Sequence, residues 1–536
     1  PPRSTLFPYT TLFRSYQEIG GEKVEINARY VIRDQASCGF GFEIDEYDPE
    51  HAIIIDPELV FSTFFGGGEP DGCVGVATDQ EGNIYLAGET ASLNLPLSPS
   101  AYDSTMDMMY RDMFVVKFDP TGSSILYCTY LGGAGPEFPL GMDVDGQGNA
   151  YLAGSTRSSD YPLTPDAYTS SFQFDYVSDN RLFVTKLNSK GNGLVFSAVL
   201  GHLFSSNKSF IKLDTSGNCF IVGVGLIDTT PSAIQSMPIE GTRNTPFIAK
   251  LSADGGSLLY ATYFGGVDRE KRTVISDADV DVKGNVYLTG HTYNDELPIT
   301  EGCLDPQFSH YTNDTSQIAG FITKLNPQGG LEYSSFLFNS QPFCICTDSY
   351  GAMYLTGRRN HTDFPITINE YTKTTSQFFH CKISPSGKEL IFSTYMFNPG
   401  FKIKVGLNGN IYIAGEALSG DYNIIPTTPD AFDRTFNGGT WDLFLAVTDN
   451  IGSKLLYSTY IGTPGSDNFC GMSLDDSGNV FLAGGTDSGD FPTTAGTWDR
   501  TYNGKGDVVL CKFSFGPGPD FVGDDAPKVL CLNPAF

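Results

Sequence analysis

A seven-residue stretch, Gly82-Asn83-Ile84-Tyr85-Leu86-Ala87-Gly88, recurs six more times along the chain. The copies begin at Gly148, Gly217, Gly284, Gly351, Gly409 and Gly478, in steps of 66, 69, 67, 67, 58 and 69 residues. Self-similarity at a fixed period is the signature of a repeat architecture. Gly-Asn tolerates the positive φ of a tight hairpin turn, and the aromatic–aliphatic run that follows reads as a buried strand.

Each repeat holds four strand patterns, a to d. In the first, a lies near Val74 to Thr78, b is Ile84 to Glu89, c is Met113 to Phe118 and d is Ile125 to Leu131. Val, Ile, Tyr, Phe and Thr dominate all four, as strands require. No stretch shows sustained helical periodicity, and no apolar run approaches the ~18 residues of a membrane helix. Asp79, Asp145, Asp214, Asp281, Asp348 and Asp475 stand three before the cassette glycine, so the a–b connection is an Asp-x-x-Gly turn; Gly406 breaks this pattern. Asp119-Pro120-Thr121-Gly122 is the c–d counterpart, with Pro presetting φ and Gly closing a type I turn. The b–c connection is about twenty residues long and carries a sub-motif, as in Tyr161-Pro162-Leu163-Thr164-Pro165-Asp166-Ala167-Tyr168. The d–a connection is Gly-rich and holds an acid.

The array begins with a lone d pattern, Leu59 to Phe65, and ends with a, b and c only, at Met472 to Leu474, Val480 to Gly485 and Val508 to Phe513. A linear solenoid gains nothing from that split. A propeller gains a clasp between its ends and loses its exposed edges. The expectation is an all-β, seven-bladed β-propeller of four-stranded antiparallel blades, closed by an N-terminal strand that completes the last blade.

The repeats resemble the β-propeller repeats called SBBP, as in Tyr457-Ser458-Thr459-Tyr460-Ile461-Gly462 and Phe321-Ile322-Thr323-Lys324-Leu325-Asn326-Pro327. The likeness covers about 59–515. It is weakest at Ser197-Ala198-Val199-Leu200 and at Phe336-Leu337-Phe338, which lacks the Gly-Gly. Residues 16–58, with Ala28-Arg29-Tyr30 and Tyr47-Asp48-Pro49, resemble the end of the uncharacterised β domain that precedes such propellers in large bacterial surface or secreted proteins. Val24 to Val31 alternates there as one half-buried strand, and Phe40 to Ile44 reads as another. The resemblance implies an extracellular or cell-surface location and brings no catalytic residues. Residues 1–15, PPRSTLFPYTTLFRS, resemble a translated sequencing adapter and are expected to be non-native, so the absence of a signal peptide says nothing about secretion. Residues 516–536 are expected to be a tail or linker.

The formal charge of −29 disfavours nucleic acid and anionic membranes as partners. The eleven cysteines fall mostly inside strand patterns, with no CxxC, and read as small buried hydrophobes rather than a disulfide framework. The six histidines show no metal-ligand spacing, and no cofactor is expected. Asp-x-x-Gly-Asn lacks the alternating acids and distal Glu of an EF-hand, so a turn cap is favoured over a calcium ligand.

Two function classes stay open: a non-enzymatic binding or scaffold propeller, and a propeller lyase or glycosidase acting on polysaccharide. The second needs a non-repeated acid/base pair, whereas the polar residues here are repeated. In a four-stranded blade the b–c and d–a connections share one face, and function tends to sit on the longer, more variable loops. The candidate ligand face is therefore marked by Asp71, Glu137 and Asp467 in the d–a connections, with Asp160, Asp363 and Asp490 (and Glu296) before the loop prolines. These acids could ring a cation or sugar, or simply be solvated. The loop aromatics Tyr102, Tyr168, Phe432 and Trp498 either face a ligand or pack between blades. A protein or carbohydrate ligand and a monomeric domain are expected.

Overall fold

The computed structural model describes residues 14–515, apart from 20–21, 27, 35–38, 45–46, 49–52, 57, 107–109, 173–179, 205–209, 240–244, 267, 269–270, 309–317, 362–363, 368–375 and 420–424. All its named elements are β-strands. The inner strands a run Asp71–Thr78, Glu137–Val144, Phe210–Leu213, Thr273–Val280, Ser340–Thr347, Gly400–Val405 and Asp467–Leu474. Each opens an antiparallel sheet in the order a, b, c, d, and each packs beside the next inner strand, the seventh returning to the first. In blade 1 the outer strands are Ile84–Thr90, Asp112–Phe118 and Ile125–Leu131.

The last sheet consists of Asp467–Leu474, Asn479–Thr486 and Asp507–Ser514, completed by Glu58–Phe65. Phe65 pairs with Val508 and Phe61 with Lys512, as the split array predicts. Seven apolar layers fill the junctions. The layer between blades 7 and 1 joins Phe61, Phe65, Phe481 and Leu510 to Ile84, Leu86, Phe114 and Val116.

The cassette aromatics Tyr85, Tyr151, Phe220, Tyr287, Tyr354, Tyr412 and Phe481 are all buried, at 2% exposure or less. Their hydroxyls explain the choice of Tyr over Phe at most copies. Tyr85 donates to Asp79 at 2.9 Å and sits 3.0 Å from the Gly148 carbonyl of the next blade. The c–d turn glycines serve the same junctions. Gly191 has φ +67°, and a Cβ there would lie 2.3 Å from the Tyr127 ring of the preceding blade.

Two sequence expectations are revised. Strand d of blade 2, Leu194–Leu203, runs on past the divergent Ser197-Ala198-Val199-Leu200 segment, and Gly201 to Leu203 pair with Gly225 to Ile227 of blade 3. Without a Gly-Gly stop the strand continues and joins two blades into one sheet. Upstream, the run Val24 to Val31 is divided between Glu22–Ile26 and Ala28–Asp34, which belong to different sheets. A strand at Arg14–Ile19 pairs with Glu22–Ile26 and with Ile53–Asp56. The tail 516–536 lies outside the described residues.

Candidate ligand-binding face

The b–c connections do more than decorate one face. In blade 1, Ser98 N donates to Cys128 O at 3.0 Å and Tyr130 N donates to Asp103 O at 3.1 Å. In blade 7, Thr494 N donates to Ser62 O and Phe64 N to Asp499 O, at 3.1 and 2.9 Å. The middle of each such loop therefore runs down strand d and occupies the edge that would otherwise template aggregation. The loop then reaches the c–d turn of the next blade, where Tyr102 N donates to Gly191 O and Trp498 N to Gly122 O. This divides the loop aromatics. Tyr102 packs into the blade 1/2 core and Tyr168 donates to Asp228 at 2.6 Å, while Phe432 and Trp498 keep about 40% of their surface exposed.

Asp71, Glu137 and Asp467 are not loop-surface acids. They are the first residues of their inner strands, and their exposures are 7%, 0% and 0%. Each caps the loop leading into its own strand. Asp71 Oδ2 accepts from Gly67 N at 2.7 Å and Ser92 Oγ at 3.0 Å. Asp467 Oδ2 accepts from Thr463 N at 2.7 Å and its Oγ1 at 3.0 Å. Glu137 accepts from Gly133 N at 3.3 Å, Thr156 Oγ1 at 2.6 Å and Ser158 Oγ. The signal was present in the sequence as an acid four residues after the capped amide, at Gly67/Asp71, Gly133/Glu137 and Thr463/Asp467.

Each of these acids faces a second buried acid, which opens strand c of the preceding blade. A Cβ on Gly66 would lie 2.8 Å from Asp507 Oδ1 and 2.9 Å from Asp71 Oδ2; one on Gly132 would lie 2.7 Å from Asp112 Oδ1 and 2.9 Å from Glu137 Oε2. A Cβ on Gly462 would lie 2.5 Å from Asp442 Oδ1, and the Asp467 carboxylate is near enough to act on Asp442. The c-strand partners Asp507 and Asp442 cap the ends of their b–c loops, through Asn503 N and Asn437 N at 2.7 Å each. Burial pushes Asp442 and Glu137 up to about 7 and Asp507 up to about 6, with the neighbouring carboxylate adding to the rise at Asp442 and Asp507. Asp442 Oδ1 accepts no hydrogen bond. Sequence reasoning missed the partners because Asp112, Asp442 and Asp507 look like loop acids before a strand.

The remaining candidates divide further. Asp160 is exposed and accepts from Ala134 N at 2.9 Å, steadying the d–a loop. Asp490 is exposed too, but in its blade Asp487 takes over that role, accepting from Ser466 N at 2.7 Å. Asp363 lies outside the described residues. Where blades 1 and 2 meet, this face opens into a cleft of about 550 Å³, lined by Tyr102, Asp103, Thr105, Met106, Asp160 and Pro162 and reaching down to Asp112.

The opposite face is built differently. Asp79 is ion-paired with Lys117 of strand c at 3.1 Å and also accepts from Asn83 and Tyr85. Lys186–Asp145 at 3.0 Å and Lys250–Asp214 at 2.9 Å repeat the pair. Burial alone would raise the Asp79 carboxyl, but the bonds from Asn83, Tyr85 and Lys117 outweigh it and hold it below the ordinary range. An ammonium thus already supplies the cation at these turns. Among the described residues, no three His, Cys, Asp or Glu side chains converge as a metal site, and no helix is long and apolar enough to cross a membrane.

Comparison with known proteins follows the same outline. The β-propeller repeat family SBBP matches at residues 60–96, 126–162 and 456–492, and a domain of unknown function, DUF7948, matches at 12–58. The three matched repeats are those whose d–a connections carry Asp71, Glu137 and Asp467. No curated protein matches the chain. Similar solved structures include the polysaccharide lyase Uly1 (9% identity, TM-score 0.43, 86% of this chain and 98% of that one). Others are the propeller domain of the Trilobed protease from Pyrococcus furiosus (9%, 0.40, 78% and 90%) and BamB from Moraxella catarrhalis (9%, 0.35, 86% and 98%). The chain thus carries SBBP β-propeller repeats at three places and folds as a β-propeller.

Proposed function

We propose that the chain is a non-enzymatic binding propeller of an extracellular or cell-surface protein, taking a carbohydrate at the b–c/d–a face. The observation that carries this reading is the cleft between blades 1 and 2, where the half-buried Tyr102 and the acids Asp103 and Asp160 line one concave surface. An aromatic plane beside carboxylate acceptors suits a ligand with an apolar sugar face and a rim of hydroxyl donors. The buried acid pairs favour scaffold over catalysis: they recur at three junctions, bond to their own loops and lie against glycine turns. An acid/base pair for glycoside cleavage works on an open substrate path and is needed once.

A glycan array with the purified propeller, repeated with Tyr102→Ala and Asp160→Lys, tests the reading. The expected result is binding that both variants weaken at least tenfold, with the exposed Asp160→Lys keeping its thermal stability. Binding only to peptide ligands would move the protein to the protein-recognition class. Release of reducing sugar that Glu137→Gln abolishes would overturn the non-enzymatic reading.

A further inference from the structure

We propose that Cys73 and Cys470 are a disulfide-forming pair that staples the first blade to the last. Cys73 lies on the inner strand of blade 1 and Cys470 on the inner strand of blade 7, two strands packed side by side where the ring closes. The approach is close because both strands carry glycine there: a Cβ on Gly471 would lie 3.3 Å from Gly75 Cα. One turn along, Thr78 Oγ1 and Ser473 Oγ meet at 3.2 Å across the same seam. Cys470 is the extra residue of a β-bulge between Phe469 and Gly471, which frees its side chain from the ladder register. Cys73 leans toward blade 7, with its sulfur 3.8 Å from the Gly484 carbonyl, and the Cys470 side chain is close enough to influence its thiol.

The pair stands apart from the other described cysteines. Cys128, Cys219, Cys344, Cys346, Cys381 and Cys511 are buried; Cys73, Cys303 and Cys470 are partly buried, and of these three only Cys73 and Cys470 lie on the adjoining inner strands of the closing seam. Cys344 is committed elsewhere, donating to Asp277 at 2.7 Å. No local spacing betrays the pair, because its members stand almost the whole array apart and only ring closure brings them together.

The chemistry is thiol–disulfide exchange with a small-molecule disulfide such as oxidised glutathione. One thiolate attacks the reagent, forms a mixed disulfide and releases one reduced thiol. The second cysteine then displaces the other half of the reagent. Two protein thiols and one reagent disulfide give one protein disulfide and two reduced thiols, with two electrons passing to the reagent. Burial pushes the Cys73 thiol well above its ordinary range, so exchange is slow at neutral pH and quickens as the solution is made alkaline.

The test treats the folded protein with oxidised glutathione at mildly alkaline pH, alkylates the remaining thiols and maps the peptides. The expected result is a Cys73–Cys470 cross-link, the loss of two free thiols, and a rise in the urea midpoint that dithiothreitol reverses. Cys73→Ser and Cys470→Ser should each abolish that rise while matching the reduced protein in midpoint. Failure to recover the cross-link, or the same reversible rise in both serine variants, overturns the assignment. If a serine variant is itself unstable, the peptide map of the unmutated protein still decides.

Discussion

The ammonium of Lys117 lies 3.1 Å from Asp79 Oδ2 and 4.8 Å from the centre of the Tyr85 ring. Both charged groups are at least nine-tenths buried. Removing one partner of such a pair leaves an uncompensated buried charge. Lys117→Met is therefore expected to cost about 3 kcal/mol in urea denaturation. Lys324 supplies the contrast, because it is ion-paired with the more exposed Glu332 at 2.8 Å. Lys324→Met should cost under ~1 kcal/mol. Equal losses at the two sites would show that the turn aspartate does not need its lysine.

Stability should fall as pH rises from about 4 to 7. Burial, the largest influence, raises Glu137 and Asp442 to about 7 and Asp507 to about 6. A carboxyl whose folded pKa is raised contributes stability that is fully present below its unfolded value and lost as pH passes the folded one. Each pKa unit is worth about 1.4 kcal/mol. Asp442→Asn and Asp507→Asn should flatten the slope of melting temperature against pH. A wild-type slope that both variants leave unchanged would mean that the acid pairs do not govern it.

The clasp at Glu58–Phe65 is expected to be indispensable. Phe65 is fully buried, with its ring centre 5.1 Å from that of Phe114 in the next blade. Phe65→Ala should destabilise by ~3–5 kcal/mol. Deleting the strand should leave the Asp507–Ser514 edge unpaired and drive concentration-dependent association, read by light scattering. A deletion variant that stays monodisperse and keeps its melting temperature would refute this role.

Charge reversal should separate buried acids from exposed ones on the same face. Asp71→Lys with Asp467→Lys would place ammonium groups in sites built as loop caps, and is expected to lower the melting temperature sharply. Asp160→Lys with Asp490→Lys should leave it within a few degrees while altering any ligand binding. The same small effect from both double variants would contradict the burial of Asp71 and Asp467.

The blade count, the strand order and the closing strand were legible because the cassette aromatics and the unmatched d pattern are properties of sequence distance alone. The seating of the acids was not. Asp71 and Asp160 have the same side chain in loop-like surroundings near a proline, and only the start of the strand at Asp71 rather than near Val74 turns one inward. Lys117 repeats in step with Asp79, at Lys186/Asp145 and Lys250/Asp214, so that pair was visible as a shared period but not as a contact. The route of the b–c loop was hidden for another reason. Its hydrogen bonds run from backbone amides such as Ser98 N and Thr494 N, and backbone partners leave no mark in residue identity.

Because a blade's b–c loop binds its own outer strand, the blade finishes its lateral hydrogen bonding largely within one repeat. The repeat is then an interchangeable part. A lineage can duplicate or drop a whole unit at the level of its DNA without baring a sticky flank to the cell, and natural selection can vary the rim of one blade without renegotiating the others.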